Sequence, residues 1–443
     1  MAKGGRPRVL LLAYACSPFR GSEPGIGWHR AVEVAKYCDT WVICKQQDYE
    51  ADIRRYFAVH PAVPGLHFTF VPVTRSQRLL RRVPPLWYAA YNLWHRRAFR
   101  RAVMLHSEVR FDLVHQVTLS GFREPGYLWK LGVPFVWGPV GGTENYPWRF
   151  LTRAGAWGGL QEGARSIANV LQFRFSPRVA KAARAARVLL AANSTAGRDL
   201  KRVHNAHPVL MPSVGSDVHV KGRLPQGKGR PEGSLRLLWS GLLEPRKALH
   251  LLIEALARLP QSVDYELRIL GRGEMERPWR RLAERRNVAR RCTWIGWLPH
   301  EEAQRQCEWA DLFVLTSLRD SGPGVVMEAL GHGVPVLCLD HQGGADVVTP
   351  ECGIKIPVTS PREVISGLRD AIAAVAHDPG ILEPLRPGAL ARAQEHLWSR
   401  QGRQIVELYE GVLGRKRGGA ETGRDLRATA EHSAVAPPRI PEA

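Results

Sequence analysis

Short apolar runs alternate with longer amphipathic segments along most of the chain. In the first half the runs are rich in Val, Leu and Ile and show no polar–apolar alternation; they cover residues 8–15, 40–45, 66–73, 111–117, 133–138, 186–193 and 208–213. Unalternated runs of this length are typical of parallel strands that helices cover on both faces. The pattern therefore predicts a doubly wound, Rossmann-like α/β domain over residues 1–218.

A second series of the same kind follows a segment rich in Gly, Pro and charge, KGRLPQGKGRPEGS, which is typical of a linker. The predicted boundaries are a linker at 219–234, a second Rossmann-like domain at 235–397, a helix at 398–415 that returns to the first domain, and a disordered tail at 416–443. In open parallel sheets, ligands bind beyond the carboxyl ends of the strands. Two such domains facing each other predict a central cleft.

Charge and cysteine content narrow the class of protein. The 443 residues carry a net charge of +22, from 63 basic and 41 acidic side chains, which favours anionic partners. The seven cysteines are scattered without a C-x-x-C pair, which indicates reduced thiols in the cytoplasm rather than a disulfide framework or a zinc site. No apolar run reaches the roughly 20 residues that span a bilayer, so we expect any membrane contact to be peripheral.

The stretch RDSGPGVVMEALGHGVPVLCLD carries candidate chemistry. It predicts a loop at the carboxyl end of a strand, followed by a helix whose first amides, around Gly322, Gly324 and Val325, are free to bind a phosphate. Asp320 could accept hydrogen bonds from ligand hydroxyls, and Glu328 could bind a vicinal diol such as a ribose. The alternative is an ordinary crossover with solvated acids.

A second loop, WSGLLEPRK, places two cations at the same predicted edge. Gly241 ends the preceding strand, and Arg246 and Lys247 stand just before the next helix. Two cations there suit a diphosphate leaving group. A solvated pair beside a helix is the alternative.

Taken in order, SGLLEPRK, ILGRGE, WIGWLP and LTSLRDSGPGVVMEALGHGVPVL resemble the retaining glycosyltransferases of family 4, which have the GT-B fold. In the first half, GSEPGIGW and WGPVGG resemble two loops of one branch of that family. The resemblance covers roughly residues 8 to 415. It implies transfer of a sugar, of the hexosyl type, from a nucleotide diphosphate donor with retention of configuration. It also implies no cofactor and no metal, and the chain has no D-x-D sequence.

The resemblance also implies roles for single residues in the second half. Lys247 would hold the donor diphosphate, Asp320 the transferred sugar, and Glu328 the ribose. The main chain of Gly322 and Gly324 would contact the sugar and phosphates.

In the first half, the resemblance places two loops beside the phosphates and the acceptor. One contains Gly21, Ser22 and Glu23, and the other contains Gly141 and Gly142. His115 is a candidate catalytic residue near the reacting carbon; the alternative is a histidine packed at a strand end.

The sequence departs from the family pattern at two positions. Asp320 stands where the family usually has Glu, and Leu242 stands where it usually has Arg. Arg246 is the predicted substitute for the missing cation. A protein that binds a nucleotide sugar without transferring it is therefore an alternative.

Basic and aromatic residues concentrate in the first half. Residues 75–104 contain eight arginines and no acid, with Trp and Tyr among them, and residues 146–159 are similar in character. Arginine with interfacial aromatics is typical of a surface on anionic lipid headgroups. We expect a protein peripheral on the inner face of the membrane, with a lipid-linked or glycan acceptor for cell-surface polysaccharide. A solvated helix with aromatics in the core is the alternative.

Two other functions fit less well. A dinucleotide-dependent enzyme would use Gly25 and Gly27, but Arg30 fills the third glycine position and Lys45 ends the next strand without a ribose-binding acid. The charge alone allows a nucleic-acid-binding protein, but the sequence contains no recognised binding module. We therefore expect no nucleic acid partner.

Overall fold

The computed structural model describes residues 5–83, 86–216 and 234–414. Its strands are β1 (Arg8–Ala13), β2 (Asp39–Lys45), β3 (Leu66–Val71), β4 (Leu113–Thr118), β5 (Phe135–Val140), β6 (Ala186–Ala191), β7 (Val209–Leu210), β8 (Leu235–Ser240), β9 (Tyr265–Leu270), β10 (Cys292–Gly296), β11 (Leu312–Leu315), β12 (Val336–Asp340) and β13 (Gly353–Pro357). In the described residues they form a seven-stranded sheet in the order β3-β2-β1-β4-β5-β6-β7 and a six-stranded sheet in the order β10-β9-β8-β11-β12-β13. Both sheets are parallel.

Helices cover both faces of each sheet. They are α1 (Ser22–Ala35), α2 (Glu50–Phe57), α3 (Arg75–Leu80), α4 (Trp87–Val109), α5 (Ala156–Phe175), α6 (Pro177–Ala185), α7 (Ser194–His204), α8 (Leu249–Leu256), α9 (Glu276–Arg285), α10 (His300–Trp309), α11 (Gly324–Gly331), α12 (Gln342–Val347), α13 (Pro361–His377), α14 (Leu385–Glu395) and α15 (Trp398–Val412). Each sheet has a separate buried apolar cluster on either side. This arrangement confirms the predicted α/β class with two doubly wound sheets.

The apolar runs locate the strands well because most of these strands are buried on both faces. The burial pattern of β4, for example, is uniform along its six residues. The edge strand β13 has no such run and was not expected from the sequence. The run at 208–213 forms only the two-residue strand β7, which is exposed at the sheet edge.

The basic stretch at 75–104 forms α3 and most of α4, and several of its aromatic side chains serve the core. Tyr91 and Trp94 are buried, and Trp94 Nε1 donates to Val71 O at 3.0 Å. Tyr88 is exposed. The stretch is therefore a helix that covers the first sheet, and only part of its aromatic content is available to a partner.

The last helix, α15, packs on α1 of the first half. The ring of Trp398 stacks on His29 with centroids 4.7 Å apart, and Arg30 Nη2 donates to Gln401 Oε1 at 2.5 Å. Residues 217–233, which hold nearly all of the predicted linker, and the predicted tail at 416–443 lie outside the described residues. Within the described part of the chain, no helix combines the length and the apolar character needed to cross a membrane.

Candidate active site

The glycine loop between β11 and α11 carries the first part of the site. The Asp320 carboxylate forms an ion pair with Lys247 Nζ, and both side chains are largely buried. It also accepts a hydrogen bond from the N–H of Gly322. Burial opposes ionisation of Asp320, but Lys247, Arg246 and this N–H outweigh it, so the pKa of Asp320 lies below its usual value. Three residues predicted from the sequence, Lys247, Asp320 and Gly322, therefore lie together.

The position of Lys247 is fixed by its own backbone. The hydroxyl of Thr316 donates a hydrogen bond to Lys247 O at 2.8 Å and accepts one from Trp239 Nε1 at 3.0 Å. Both hydrogen bonds are buried. Gly241 lies beside the lysine stem, where an added Cβ would stand 3.7 Å from Lys247 Cδ. The loop after β8 thus directs the ammonium group toward the glycine loop.

The sequence predicts that Arg246 is available to a diphosphate beside Lys247, but in the structure its side chain pairs with an acid. Its Nε donates to Glu244 Oε2 at 2.7 Å, and its Nη1 lies 3.4 Å from Arg319 O. Leu242, at the position of the expected arginine, is 51% exposed. The guanidinium of Arg246 is therefore near Asp320 but is already engaged with an acid.

The start of α11 is open on one side. Gly322, Gly324 and Val325 are half-buried, so their backbone is not enclosed in a core. The other side is closely packed, because a Cβ on Gly322 would stand 2.7 Å from Ser213 Oγ. A residue larger than glycine at 322 would therefore push the loop away from the first half.

Glu328, one turn into α11, meets a residue that the sequence did not suggest. Its Oε1 lies 3.7 Å from Nδ1 of His300, the first residue of α10. The same Nδ1 lies 3.8 Å from where a Cβ on Gly21 would stand. His300 thus brings the predicted ribose-binding acid close to the first loop of the other half.

That first loop opens α1. Gly21 is the N-cap, and Ser22 has a positive φ of 58°. Glu23 Oε1 accepts a hydrogen bond from Ser120 N at 3.0 Å. Burial raises the pKa of Glu23, and the hydrogen bonds from Ser120 reduce that rise.

The WGPVGG loop touches the glycine loop directly. Gly142 N lies 3.1 Å from Ser321 Oγ and 2.8 Å from Glu144 Oε2, and Ser321 Oγ donates to the same Glu144 oxygen at 2.6 Å. A Cβ on Gly141 would stand 2.9 Å from Ser321 Cβ, so this glycine allows the close approach. The two glycine-rich loops predicted from the sequence therefore face each other across the cleft.

Two residues that sequence reasoning missed complete this contact. Asn193 Nδ2 donates to Glu144 Oε1 at 2.6 Å and to Ser321 O at 2.8 Å, and both Asn193 and Glu144 are buried. Their positions could have suggested them, since Glu144 follows WGPVGG by two residues and Asn193 follows strand β6. A buried carboxylate with three donors holds the loop firmly.

His115, the candidate catalytic residue of the first half, lies in the interior, and its catalytic role stays a prediction. The residue lies within β4 and is fully buried; its Nδ1 is 2.5 Å from Tyr409 Oη on α15, and its Nε2 is 2.7 Å from Gly138 O. Burial lowers the pKa of His115 to about 3, so the ring is neutral. Its observed partners belong to the packing of the last helix on the first sheet.

No group of three or more metal-ligating side chains in the described residues is arranged to hold an ion. The candidate site consists instead of a lysine, an aspartate, exposed backbone at a helix start and two facing loops. Such a set can bind a diphosphate and contact the hydroxyls of a neighbouring group.

Sequence comparison relates the second half of the chain to a known family. Residues 220–379 match the family model described as glycosyl transferases group 1. The chain is 28% identical over 193 residues to the protein provisionally named colanic acid biosynthesis glycosyltransferase WcaL of Escherichia coli (strain K12), covering 41% of this chain and 46% of that protein. It is 30% identical over 121 residues to the amylovoran biosynthesis glycosyltransferase AmsK of Erwinia amylovora, covering 26% of this chain and 30% of AmsK. Each match spans less than half of the relative.

Solved structures define the fold. Sucrose-phosphate synthase from Thermosynechococcus elongatus aligns with a TM-score of 0.62 at 16% identity, over 93% of this chain and 100% of that one. Anabaena HepE in complex with UDP aligns with a TM-score of 0.59 at 16% identity, over 91% and 100%. The chain therefore has the GT-B fold, and the similarity to glycosyl transferases group 1 lies in residues 220–379.

Proposed function

We propose that this protein is a glycosyltransferase that moves a sugar from a nucleotide diphosphate donor to a glycan acceptor in polysaccharide synthesis. The observation that supports it most is the cluster of Lys247, Asp320 and the N–H of Gly322 at the carboxyl edge of the second sheet, facing the loop of Gly142. The names of WcaL and AmsK, which refer to polysaccharide biosynthesis, agree with this class of reaction.

The chemistry follows from the charges at the site. The Lys247 ammonium and the first amides of α11 stabilise the negative charge that develops on the leaving diphosphate, a role that needs no metal. Asp320 accepts hydrogen bonds from the transferred sugar, which we expect to be a hexose. Glu328 binds the ribose of the donor. We expect retention of the anomeric configuration.

The donor site is tested by thermal shift with a panel of nucleotide sugars. At least one should stabilise the wild type, since a ligand at 100 times its Kd adds about 2.7 kcal/mol. Glu328→Ala should abolish the stabilisation, whereas Glu284→Ala, which changes an exposed acid on α9, should keep it. If Glu328→Ala responds like the wild type, the donor site is wrongly assigned. Binding without turnover would favour a protein that holds the donor but does not transfer, as Leu242 allows.

We also propose that the first half rests on the anionic inner face of the membrane and takes a lipid-linked acceptor. α5 exposes large apolar side chains along one side, and Trp148 just before it is 60% exposed. The exposed apolar residues of α5 are Trp157, Leu160, Ile167, Val170, Leu171 and Phe175. Arginines of α3 and α4 supply charge that complements anionic headgroups.

Vesicle flotation tests this surface. The wild type should float with phosphatidylglycerol vesicles at low salt and much less with phosphatidylcholine vesicles. Trp157→Ala should weaken the association several-fold, whereas Trp297→Ala, an exposed tryptophan of the second half, should not. Equal flotation of the Trp157 variant and the wild type would contradict the proposal.

A further inference from the structure

A row of polar side chains runs along one side of α5; Glu162 and Asn169 are buried against the protein, and the row ends at the exposed Gln172. Its members are separated by three or four residues, which places them on one face of the helix: Glu162, Arg165, Asn169 and Gln172. Arg319 joins one end of the row, where it donates to both Glu162 oxygens at 2.8 and 2.9 Å. Arg123 joins the other end, where its Nη2 donates to Asn169 Oδ1 at 2.5 Å and its Nε to Gln172 Oε1 at 2.6 Å. Three guanidinium groups therefore gather along the same short row.

The positive charge of this row is not balanced by the acids around it. Among the described residues, Glu162 is the acid within the row, and it already forms an ion pair with Arg319. Glu124, which follows Arg123 in sequence, pairs with Arg178 instead. With three guanidinium groups and one carboxylate, the row has an excess of positive charge.

Arg165, in the middle of the row, has a donor without an acceptor. Its Nη1 is buried and has no hydrogen-bond partner in the described part of the chain. Burial, followed by the charges of Arg319 and Arg123, lowers the pKa of Arg165 to about 10. A buried guanidinium N–H without an acceptor is costly, and an anion between these arginines would remove that cost.

The row lies between the candidate active site and the exposed apolar side of α5. Arg319 directly precedes Asp320, so one end of the row is at the cleft. The opposite side of the helix exposes large side chains such as Leu160 and Leu171. A helix is only about 10 Å wide, so one amphiphilic molecule can contact both sides.

We propose that Arg123, Arg165 and Arg319 bind the phosphate or diphosphate group of the acceptor, whose apolar chain lies along the exposed side of α5. The inference rests on the proposed function, and it specifies the acceptor as a lipid-linked phosphate. Guanidinium groups bind phosphate oxygens through charged N–H donors; here Arg165 Nη1 is a donor without a partner in the residues that the structure describes, and Arg123 and Arg319 add positive charge on either side of it. The sugar-accepting end of such a molecule then extends toward Asp320.

Calorimetric titration with inorganic pyrophosphate tests the anion site separately from the donor site. The wild type should bind two ions per chain, Lys247→Ala one, and Lys247→Ala with Arg165→Gln none. Arg285→Gln, an exposed arginine on α9, is the matched control and should bind two. Arg123→Gln is a second variant of the row, and circular dichroism checks that each variant is folded.

The possible results of this titration test the anion site and the donor site separately. If Lys247→Ala alone removes all binding, or if folded Arg165→Gln and Arg123→Gln both bind two ions, the anion site is refuted and the donor site stands. If Lys247→Ala still binds two ions, the donor site itself is wrong.

Farnesyl diphosphate, added to the Lys247→Ala variant, distinguishes a lipid from a free phosphate. It should bind at least about 10-fold more tightly than pyrophosphate, a gain of about 1.4 kcal/mol from apolar contact. Leu171→Asn should remove that gain and leave pyrophosphate binding unchanged. Equal affinities for the two probes in the Lys247→Ala variant would contradict a lipid acceptor and indicate a free phosphate.

Discussion

The carboxylate of Asp320 lies between a lysine ammonium and a backbone N–H, and this environment determines its charge. Its pKa is below the usual value, so the folded protein keeps it ionised throughout the neutral range. In the proposed reaction, an ionised Asp320 would accept hydrogen bonds from the sugar and support positive charge that develops on the reacting carbon, and Lys247 would contact the leaving group.

Asp320→Asn should therefore reduce kcat by at least about 100-fold while the protein still binds its donor. Loss of a preorganised charged group in an active site costs on the order of 3 kcal/mol in the transition state. Steady-state kinetics and a donor titration measure the two quantities separately. A variant that transfers sugar at the wild-type rate would exclude a catalytic role for Asp320.

His115 illustrates how a buried neutral histidine affects stability. Its folded pKa of about 3 lies below that of an unfolded histidine, so between about pH 6.5 and 3 the unfolded chain binds a proton that the folded chain does not. The contribution of His115 to stability is therefore complete above pH 6.5 and decreases as the pH falls. Acid unfolding should show this loss.

Tyr409→Phe should destabilise the protein by about 1–3 kcal/mol, because it leaves a buried ring nitrogen of His115 without its partner. Nucleotide binding should remain, since the observed partners of His115 are Tyr409 and Gly138 O. Urea denaturation and a donor titration are the measurements. Loss of donor binding in a folded Tyr409→Phe protein would mean that His115 does act at the site.

Some residues of the site could be predicted from the sequence, because a residue of their type at the end of a strand has few structural roles. Lys247, Asp320 and the loop of Gly322 meet in the structure because they follow β8 and β11 at one edge of the second sheet, and the WGPVGG loop follows β5 of the first sheet and contacts them there. The sequence positions of Glu144 and Asn193 are a weak signal, but their hydrogen bonds and the Arg165 row were not predictable, because ordinary polar residues acquire their partners only from the tertiary structure. The role of His115 stays a prediction, because one histidine in a strand fits a core position as well as a catalytic one.

At the scale of elements, the position of α15 depends on one large side chain. Trp398 stacks on His29, receives the guanidinium of Arg30 5.2 Å from its ring centre, and packs closely on Gly215. The segment before it pairs with the end of the first half, where Trp398 N donates to Ser216 O at 3.2 Å. These contacts join the two halves through the last helix.

Trp398→Ala should lower the free energy of unfolding by about 3–5 kcal/mol, the range for truncating a large buried aromatic. The exposed Trp148 offers a matched control, since Trp148→Ala removes the same group from solvent-facing surface. Both variants are compared by urea denaturation. An unchanged midpoint for Trp398→Ala would show that α15 does not hold the halves together.

Strands could be predicted from the sequence where all of their residues are buried. The central strands stand out as unbroken apolar runs, but the orientation of α5 does not follow from its pattern, because its buried side carries Glu162, Ser166 and Asn169 while large apolar side chains are exposed. An amphipathic helix is normally expected to bury its apolar side, so the sequence pattern would predict the opposite orientation. The same ambiguity made the aromatic residues of α4 resemble a surface when Tyr91 and Trp94 belong to the core.

On the scale of the whole molecule, the two halves are held in a closed arrangement by hydrogen bonds at the glycine loop. Ser321 is central, since its hydroxyl joins Gly142 N and Glu144 while its carbonyl accepts from Asn193. Substrate binding in a cleft of this kind depends on closure, which excludes water from the reacting groups.

Ser321→Ala should therefore favour an open form. Small-angle scattering of the ligand-free protein should give a larger radius of gyration than the wild type, and Ser107→Ala should not. Ser107 is a matched control because its hydroxyl bonds only locally, to Met104 O. Identical radii for Ser321→Ala and the wild type would show that these hydrogen bonds do not control closure.

The central claim is that Lys247 and the start of α11 hold the diphosphate of a nucleotide donor, and calorimetric titration with the best-binding nucleoside diphosphate tests it most directly. Lys247→Ala should weaken binding by at least about 100-fold, as expected for loss of a charge contact worth about 3 kcal/mol. Lys181→Ala, which removes an exposed lysine of α6, should bind like the wild type. Unchanged affinity in a folded Lys247→Ala protein would contradict the account.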